Sequence, residues 1–276
     1  MLAIVWLCWI YDAITNLAAL RQRAALAHGL DILHFEQRLH LDPERSLDTW
    51  LHGHPLLGVI TGDYYDNVHF IVTLGVLGWL WWRHPTEYRP LRSALVLVNV
   101  IGFVVFWLYP VAPPRLLPGQ HLYDIVALTH AIGGWHTGTL SKAANQFAAM
   151  PSLHLGWATW SALGVWIIFR HHRWAMLVWL YPVVTAFAVL ATGNHFLSDC
   201  IAGAMTTAVS VLIAFPLHAA RDRRRRAHTQ VAARAHAQVA ARAHAEVAER
   251  ALASAATGVV NTPKAGNEAQ RTNAHP

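Results

Sequence analysis

Charge is scarce in this chain. Asp, Glu, Lys and Arg make up 13% of its 276 residues, about half the share of a soluble domain. So little charge argues against an ordinary solvated surface. Cysteine is scarcer still, at two residues. Cys8 and Cys200 both fall in long apolar runs, and no cysteine pair lies in a loop. That excludes a disulfide framework and a cysteine-built metal site. The first apolar run begins at Met1 with neither a basic flank nor a small-residue cleavage site. It reads as an anchor and not as a removed signal peptide.

Apolar residues are abundant, at 55% of the chain. Crossing a bilayer takes about 20 of them in sequence. Six runs approach that length: 2–20, 64–82, 93–109, 151–169, 174–192 and 199–218. The expected fold is all-α: a polytopic membrane protein with a six-helix transmembrane bundle, outer interfacial helices and a cytoplasmic C-terminal tail. The segments 83–92, 170–173 and everything after 218 hold 15 Lys and Arg, against 6 in 21–63, 110–150 and 193–198. The basic side is cytoplasmic by the positive-inside rule, so both termini face inward. Arg21 and Arg23 run against this bias, and the tail supplies much of it.

Two domains are expected: a membrane domain over 1–218 and a basic low-complexity tail over 219–276. Residues 21–63 are too polar to cross the membrane. The run Asp31 to Leu39 has helical apolar spacing, and a second short run ends at Trp50-Leu51. They read either as amphipathic helices on the outer interface or as a packed connector. Residues 110–150 form a long outer loop, opened by Pro110, Pro113 and Pro114, whose glycines and Trp135 suit a folded cover over a site. Arg221 to Arg226 is a basic cluster that attracts anionic headgroups; no nucleic-acid partner is expected. An eight-residue repeat then runs from Val231 to Ser254 and carries His236 and His244 in register with His228. It reads as a solvated helix or disordered tail rather than a coiled coil or metal site. Residues 255–276 look disordered.

The chemistry gathers at one face. Met150-Pro151-Ser152-Leu153-His154 opens the fourth run, and Gly193-Asn194-His195-Phe196-Leu197-Ser198-Asp199 joins the fifth to the sixth. Tyr109-Pro110 and Pro113-Pro114-Arg115 end the third. The expected topology puts all three on the outer side. Ionisable groups are costly in a membrane and are functional candidates there. Pro151 suits a first helical turn, which sets Ser152 and His154 by free N–H groups that attract anions. His195 and Asp199, at i and i+4, share a helix face. Asp199 then accepts from one ring nitrogen of His195 and leaves the other free to attack. Arg115 is a bidentate phosphate clamp. Each feature also has a plainer reading: a buried His–Asp pair, a Ser152 helix cap, a stiff Pro-Pro-Arg loop. His69, His84, His171, His172 and His218 read as interfacial or packing residues.

Pro151-Ser152-Leu153-His154 and the His195-x-x-x-Asp199 resemble the second and third motifs of the type 2 phosphatidic acid phosphatase superfamily. The inositol-phosphorylceramide-synthase-like branch is the closer likeness. It is similar in Tyr109-Pro110, Pro113-Pro114-Arg115, Ala149 to His154 and Gly193-Asn194-His195. Tyr64-Tyr65 with His69-Phe70, and Tyr88-Arg89 with Arg92, also resemble its pattern. The resemblance covers residues 1–215. It implies that His195 attacks phosphorus and becomes a phosphohistidine. Asp199 orients it, and His154 protonates the leaving alkoxide before activating water or an alcohol. It implies phosphate binding by Arg115, Ser152 and backbone N–H groups, and no metal or cofactor. Asn194 is a further phosphate-binding candidate, Tyr65, His69 and Arg92 are candidates for acceptor or headgroup contacts, and Asp124, on the outer side, is a candidate to orient a polyol acceptor. Asp63 is a second acidic residue placed to orient a polyol. The chain departs from the wider superfamily at Val189, where an arginine is usual, and at Leu153, where glycine is. Asn194, Arg92 and Lys142 are the candidates to replace that arginine.

The expected function is cleavage of a lipid phosphoester at the extracytoplasmic face, with transfer to water or to a polyol such as inositol. Nineteen histidines, with Asp12 and Asn16 in the first run, raise a second option: a non-enzymatic transporter or metal-handling protein. A third is a structural anchor displaying a basic tail.

Overall fold

The computed structural model describes residues 21–128 and 147–258. The expected first run at 2–20, with Cys8, Asp12 and Asn16, lies outside them. So do Trp135, Lys142 and the chain beyond Gly258. The described chain is helical, and its one β-feature is an isolated parallel bridge between Val111 and Ala148.

Three short helices come first: α1 (Gln22–Leu39), α2 (Glu44–His52) and α3 (Pro55–Asp63). The two amphipathic runs become α1 and α2, and α3 is an addition. Pro55 starts α3, at the position where a missing N–H costs nothing. A π-helical turn, Tyr64–Val68, leads into α4 (His69–Arg83), so the run expected at 64–82 is one irregular helix. Helix α5 (Pro85–Leu108) follows after His84 alone. The loop expected at 83–92 is therefore mostly helix. Pro85 occupies its first turn, and Pro90 lies within it.

Next come a 3-10 turn at Pro114–Leu116, the single-turn α6 (Ile125–Leu128) and α7 (Leu153–Phe169). A 3-10 segment, Arg173–Trp179, precedes α8 (Leu180–Ala191), and α9 runs from Leu197 to Gly258. The tail repeat is thus helical. Residues 255–258, expected to be disordered, belong to that helix. The chain divides into two compact units, at His218 and Ala219. Arg221 to Arg226 and the repeat are exposed.

Among the described residues, three helices are long and apolar enough to cross a membrane: Pro85–Leu108, Arg173–Ala191 and the start of Leu197–Ser254. Helix α7 is apolar but shorter. It is the centre of the first unit and packs on α4, α5 and α8. Its buried side is built from small residues, Gly156, Ala158, Ser161, Ala162 and Gly164, which let helix backbones approach closely. Trp160 is fully buried among them and donates its indole N–H to Leu91 O at 2.9 Å. Gly203 of α9 is a required glycine: a Cβ there would lie 2.2 Å from Ser152 O. Thr207 Oγ1, one turn on, donates to Gly156 O at 2.8 Å. Outward faces carry large apolar side chains, among them Ile71, Leu74, Trp81, Trp82 and Leu212. Their natural surroundings are lipid.

Candidate active site

Backbone hydrogen bonds knit the three motifs together. Val111 N donates to Phe147 O at 2.9 Å, and Ala149 N returns to Val111 O at 3.2 Å. Ala112 N donates to Ala25 O of α1 at 2.9 Å, and Arg115 N to Gly193 O at 3.1 Å. Ser152 N donates to Asp199 O at 3.0 Å. The segment from Pro110 to Leu117 thereby ties the approach to α7 and the approach to α9 into one unit. Gly193 takes a positive φ of 63°, and a Cβ on it would press on Arg115 Cβ at 3.3 Å. Only glycine adopts that conformation at no cost.

His195 lies two residues before α9, and Asp199 lies in its first turn. They are not paired on the face of a regular helix, as the spacing predicts. The chain instead turns into the helix between them. Asp199 Oδ2 accepts from Phe196 N at 2.9 Å, so the aspartate closes back on the helix start as in a capping box. The same oxygen lies 3.5 Å from His195 Nδ1. The nearer partner of that nitrogen is Ala149 O, at 2.9 Å. A carbonyl only accepts, so Nδ1 carries the proton and Nε2 keeps its lone pair. A main-chain carbonyl therefore sets the tautomer, and Asp199 supplies buried negative charge beside it. His195 and Asp199 are both buried.

His154 sits in the first turn of α7, where Ser152 is the N-cap. The Ser152 hydroxyl accepts from Leu155 N at 3.4 Å and is fully buried. The hydroxyl oxygen thus serves as the helix cap, and its O–H remains a donor. Pro151 lies before that cap and not in the first turn. The His154 ring stacks on Tyr65 at 4.5 Å, meets His69 at 4.3 Å and lies 5.5 Å from the His195 ring. The π-helical turn is what brings Tyr65 and His69 to His154, a use to which such turns are often put. His69, expected as a packing or headgroup residue, is a buried wall of the His154 pocket.

Arg115 reaches the same cluster from the loop. Its guanidinium donates to Asn194 Oδ1. Asn194 is fixed in turn by its Nδ2, which donates to Thr192 Oγ1 at 2.9 Å and Thr192 O at 3.2 Å. Asp124 Oδ2 lies 3.6 Å from Arg115 Nε. Asn194 and Asp124 thus orient the arginine. Arg92 is not brought to the cluster. Its guanidinium lies over Tyr88, sixteen residues and roughly 24 Å of helix rise from Leu108. Of the candidates to replace the missing arginine that fall among the described residues, Asn194 is at the site and Arg92 is not. Val189 is buried with Leu155, Leu190 and Cys200, and its carbonyl accepts from Asn194 N and His195 N. Asp63 ends α3. Among the described residues, no three His, Cys, Asp or Glu side chains are grouped as metal ligands.

Sequence reasoning missed four buried carboxyls, Glu36, Glu44, Asp48 and Asp66, and three of them accept from backbone amides. Glu44 Oε1 accepts from Leu197 N at 2.9 Å, Glu36 Oε1 from Ser198 N at 2.6 Å, and Asp48 Oδ1 from Tyr123 N at 2.9 Å. A signal was present. Ile32, Leu33 and Glu36 fall at helical spacing on one face, as do Glu44, Leu47, Asp48 and Leu51. Burial pushes Asp48 above the usual carboxylate range.

Searches of curated proteins and of solved structures returned no match. A family model described as the PAP2 superfamily matches residues 30–213, from within α1 to within α9. That span contains every motif of the site and well over half of the chain. This chain belongs to the PAP2 superfamily.

Proposed function

We propose that this protein is a membrane-embedded enzyme that cleaves a lipid phosphoester through a phosphohistidine at His195. Membership of the superfamily supports a phosphatase-type activity on phosphoesters. One observation carries the finer reading: the hydrogen bond from His195 Nδ1 to Ala149 O. It leaves Nε2 as the nucleophilic atom, with the His154 ring 5.5 Å away.

His195 Nε2 attacks phosphorus, and the ester P–O bond breaks. His154 gives its proton to the leaving alkoxide. The positive imidazole formed at His195 is stabilised by the buried Asp199 carboxylate. His154 then takes a proton from water or an alcohol, whose oxygen attacks phosphorus as the P–N bond breaks. Arg115 holds phosphate oxygens. Asp124, expected to orient an acceptor, instead orients this arginine, which weakens the support for a polyol. The likeness to the inositol-phosphorylceramide-synthase-like branch still favours testing one. Six spans, an extracytoplasmic site and cytoplasmic termini complete the reading, which rests on the apolar runs and the distribution of arginine. The transporter and metal-handling alternative lacks a ligand cluster among the described residues.

Incubating purified protein with a panel of labelled lipid phosphates, with and without inositol, tests this reading. Cleavage that His195→Ala abolishes is expected, and a labelled inositol product identifies transfer. Undiminished cleavage by His195→Ala contradicts the mechanism.

A further inference from the structure

Helix α9 begins immediately after the proposed nucleophile, and its first N–H groups have no partners of their own kind. Three carboxyls take them. Asp199 takes Phe196 N, within the helix itself. Glu44 of α2 takes Leu197 N, and Glu36 of α1 takes Ser198 N. The last two come from more than 150 residues away in sequence, and both are almost fully buried, at 3% and 2% exposed. Burying two carboxyls is costly, and one alone would cap a helix.

We propose that Glu36 and Glu44 are positioning residues for His195. They clamp the two backbone N–H groups that start α9 and so fix its first turn, with Asp199, against the His195–Ala149 hydrogen bond. This rests on the reading of His195 as nucleophile. Neither residue touches a reacting atom; both act through the backbone of residues 197–198.

The clamp is sensitive to protonation. The groups facing it are each other, Asp199 and Cys200 of α9, and His195 through Asp199. Neither glutamate has a basic partner within 4 Å among the described residues. Burial, then the Glu36 carboxyl, push Glu44 up to about 8. Burial also raises Glu36, and the Asp199 charge adds to it against the hydrogen bonds from Ser198. Near neutral pH the pair therefore keeps a proton on Glu44. A raised carboxyl binds protons more tightly in the folded state, so stability falls as pH rises from the unfolded value near 4.5 to about 8 and is then flat in this group. Opening the clamp releases that proton to water, so opening becomes easier as pH rises through this window.

The test is amide hydrogen exchange at 196–199 in the purified full chain, with steady-state kinetics on a cleaved lipid phosphate. Glu44→Ala and Glu36→Ala are expected to speed exchange there about tenfold or more. They should lower kcat up to about 10²-fold, with little change in KM, because a displaced reacting group costs rate and not binding. Glu44→Gln keeps the accepting oxygen and cannot ionise. It should restore most of the protection and of kcat. Protection in the wild type, corrected for intrinsic exchange, should weaken as pH rises from about 4.5 to about 8 and then level off, and in Glu44→Gln it should not weaken over that range. Wild-type exchange and kcat in Glu44→Ala would overturn the proposal. So would the same loss of protection over that range in Glu44→Gln, a comparison that stands even if the alanine variants fail to fold. If the wild type cleaves no phosphoester, the enzymatic reading fails and the exchange comparison still decides whether the clamp exists.

Discussion

The two histidines of the site sit in different surroundings. His195 is fixed by directional bonds: Ala149 O on its ring, Val189 O on its amide, and carboxyls on the next three amides. His154 is packed among rings: Tyr65 stacks on it, His69 meets it edge-on, and Trp157 lies against His69. Hydrogen bonds aim one nitrogen at one point. Ring contacts of about 0.5–1.5 kcal/mol each set the plane of the ring they pack on.

The largest effect that would sharpen this contrast is at His154 itself. Its alanine variant should lose on the order of 10²–10⁴ in rate on an alkyl ester. The loss should shrink on an aryl phosphate, whose leaving group needs no proton. A comparison of the two substrates checks this, and equal losses would remove His154 from the acid role. Next is Arg115→Ala, which gives up charge-assisted hydrogen bonds of about 1.5–3 kcal/mol. It should cost roughly 10–100-fold in kcat/KM, measured by initial rates. Tyr65→Ala should cost up to about tenfold in kcat, the worth of one ring contact. Steady-state kinetics check this, and an unchanged kcat would remove the Tyr65 stack from the support of His154. The smallest effect is at Asp124→Asn. This half-exposed partner of Arg115 should change kcat/KM by no more than about threefold.

The proposed reacting groups were legible because they carry motifs: His154, His195 and Asp199 at fixed spacings, with Arg115 behind prolines. The helices were legible from apolar runs, but their ends were not. Residues 85–92 read as a polar loop because Glu87, Arg89 and Arg92 interrupt the apolar run, although Pro85 and Pro90 are tolerated within that helix. The supports were the least legible part. Main-chain atoms such as Ala149 O and Val189 O carry no sequence signature. Glu36 and Glu44 look like the polar side of surface helices until their spacing to Leu33 and Leu47 is weighed. Asn194 was legible as a polar residue beside His195, but its role in aiming Arg115 depends on Thr192 and on the turn at Gly193.

The most direct measurement is a trap of the covalent intermediate. Purified protein is mixed with a labelled lipid phosphate, quenched within one turnover and tested for label on the chain. The account predicts an acid-labile, base-stable phosphoprotein, mapped to His195 and absent from His195→Ala. Turnover with no label on His195, or label unchanged in that variant, would contradict it.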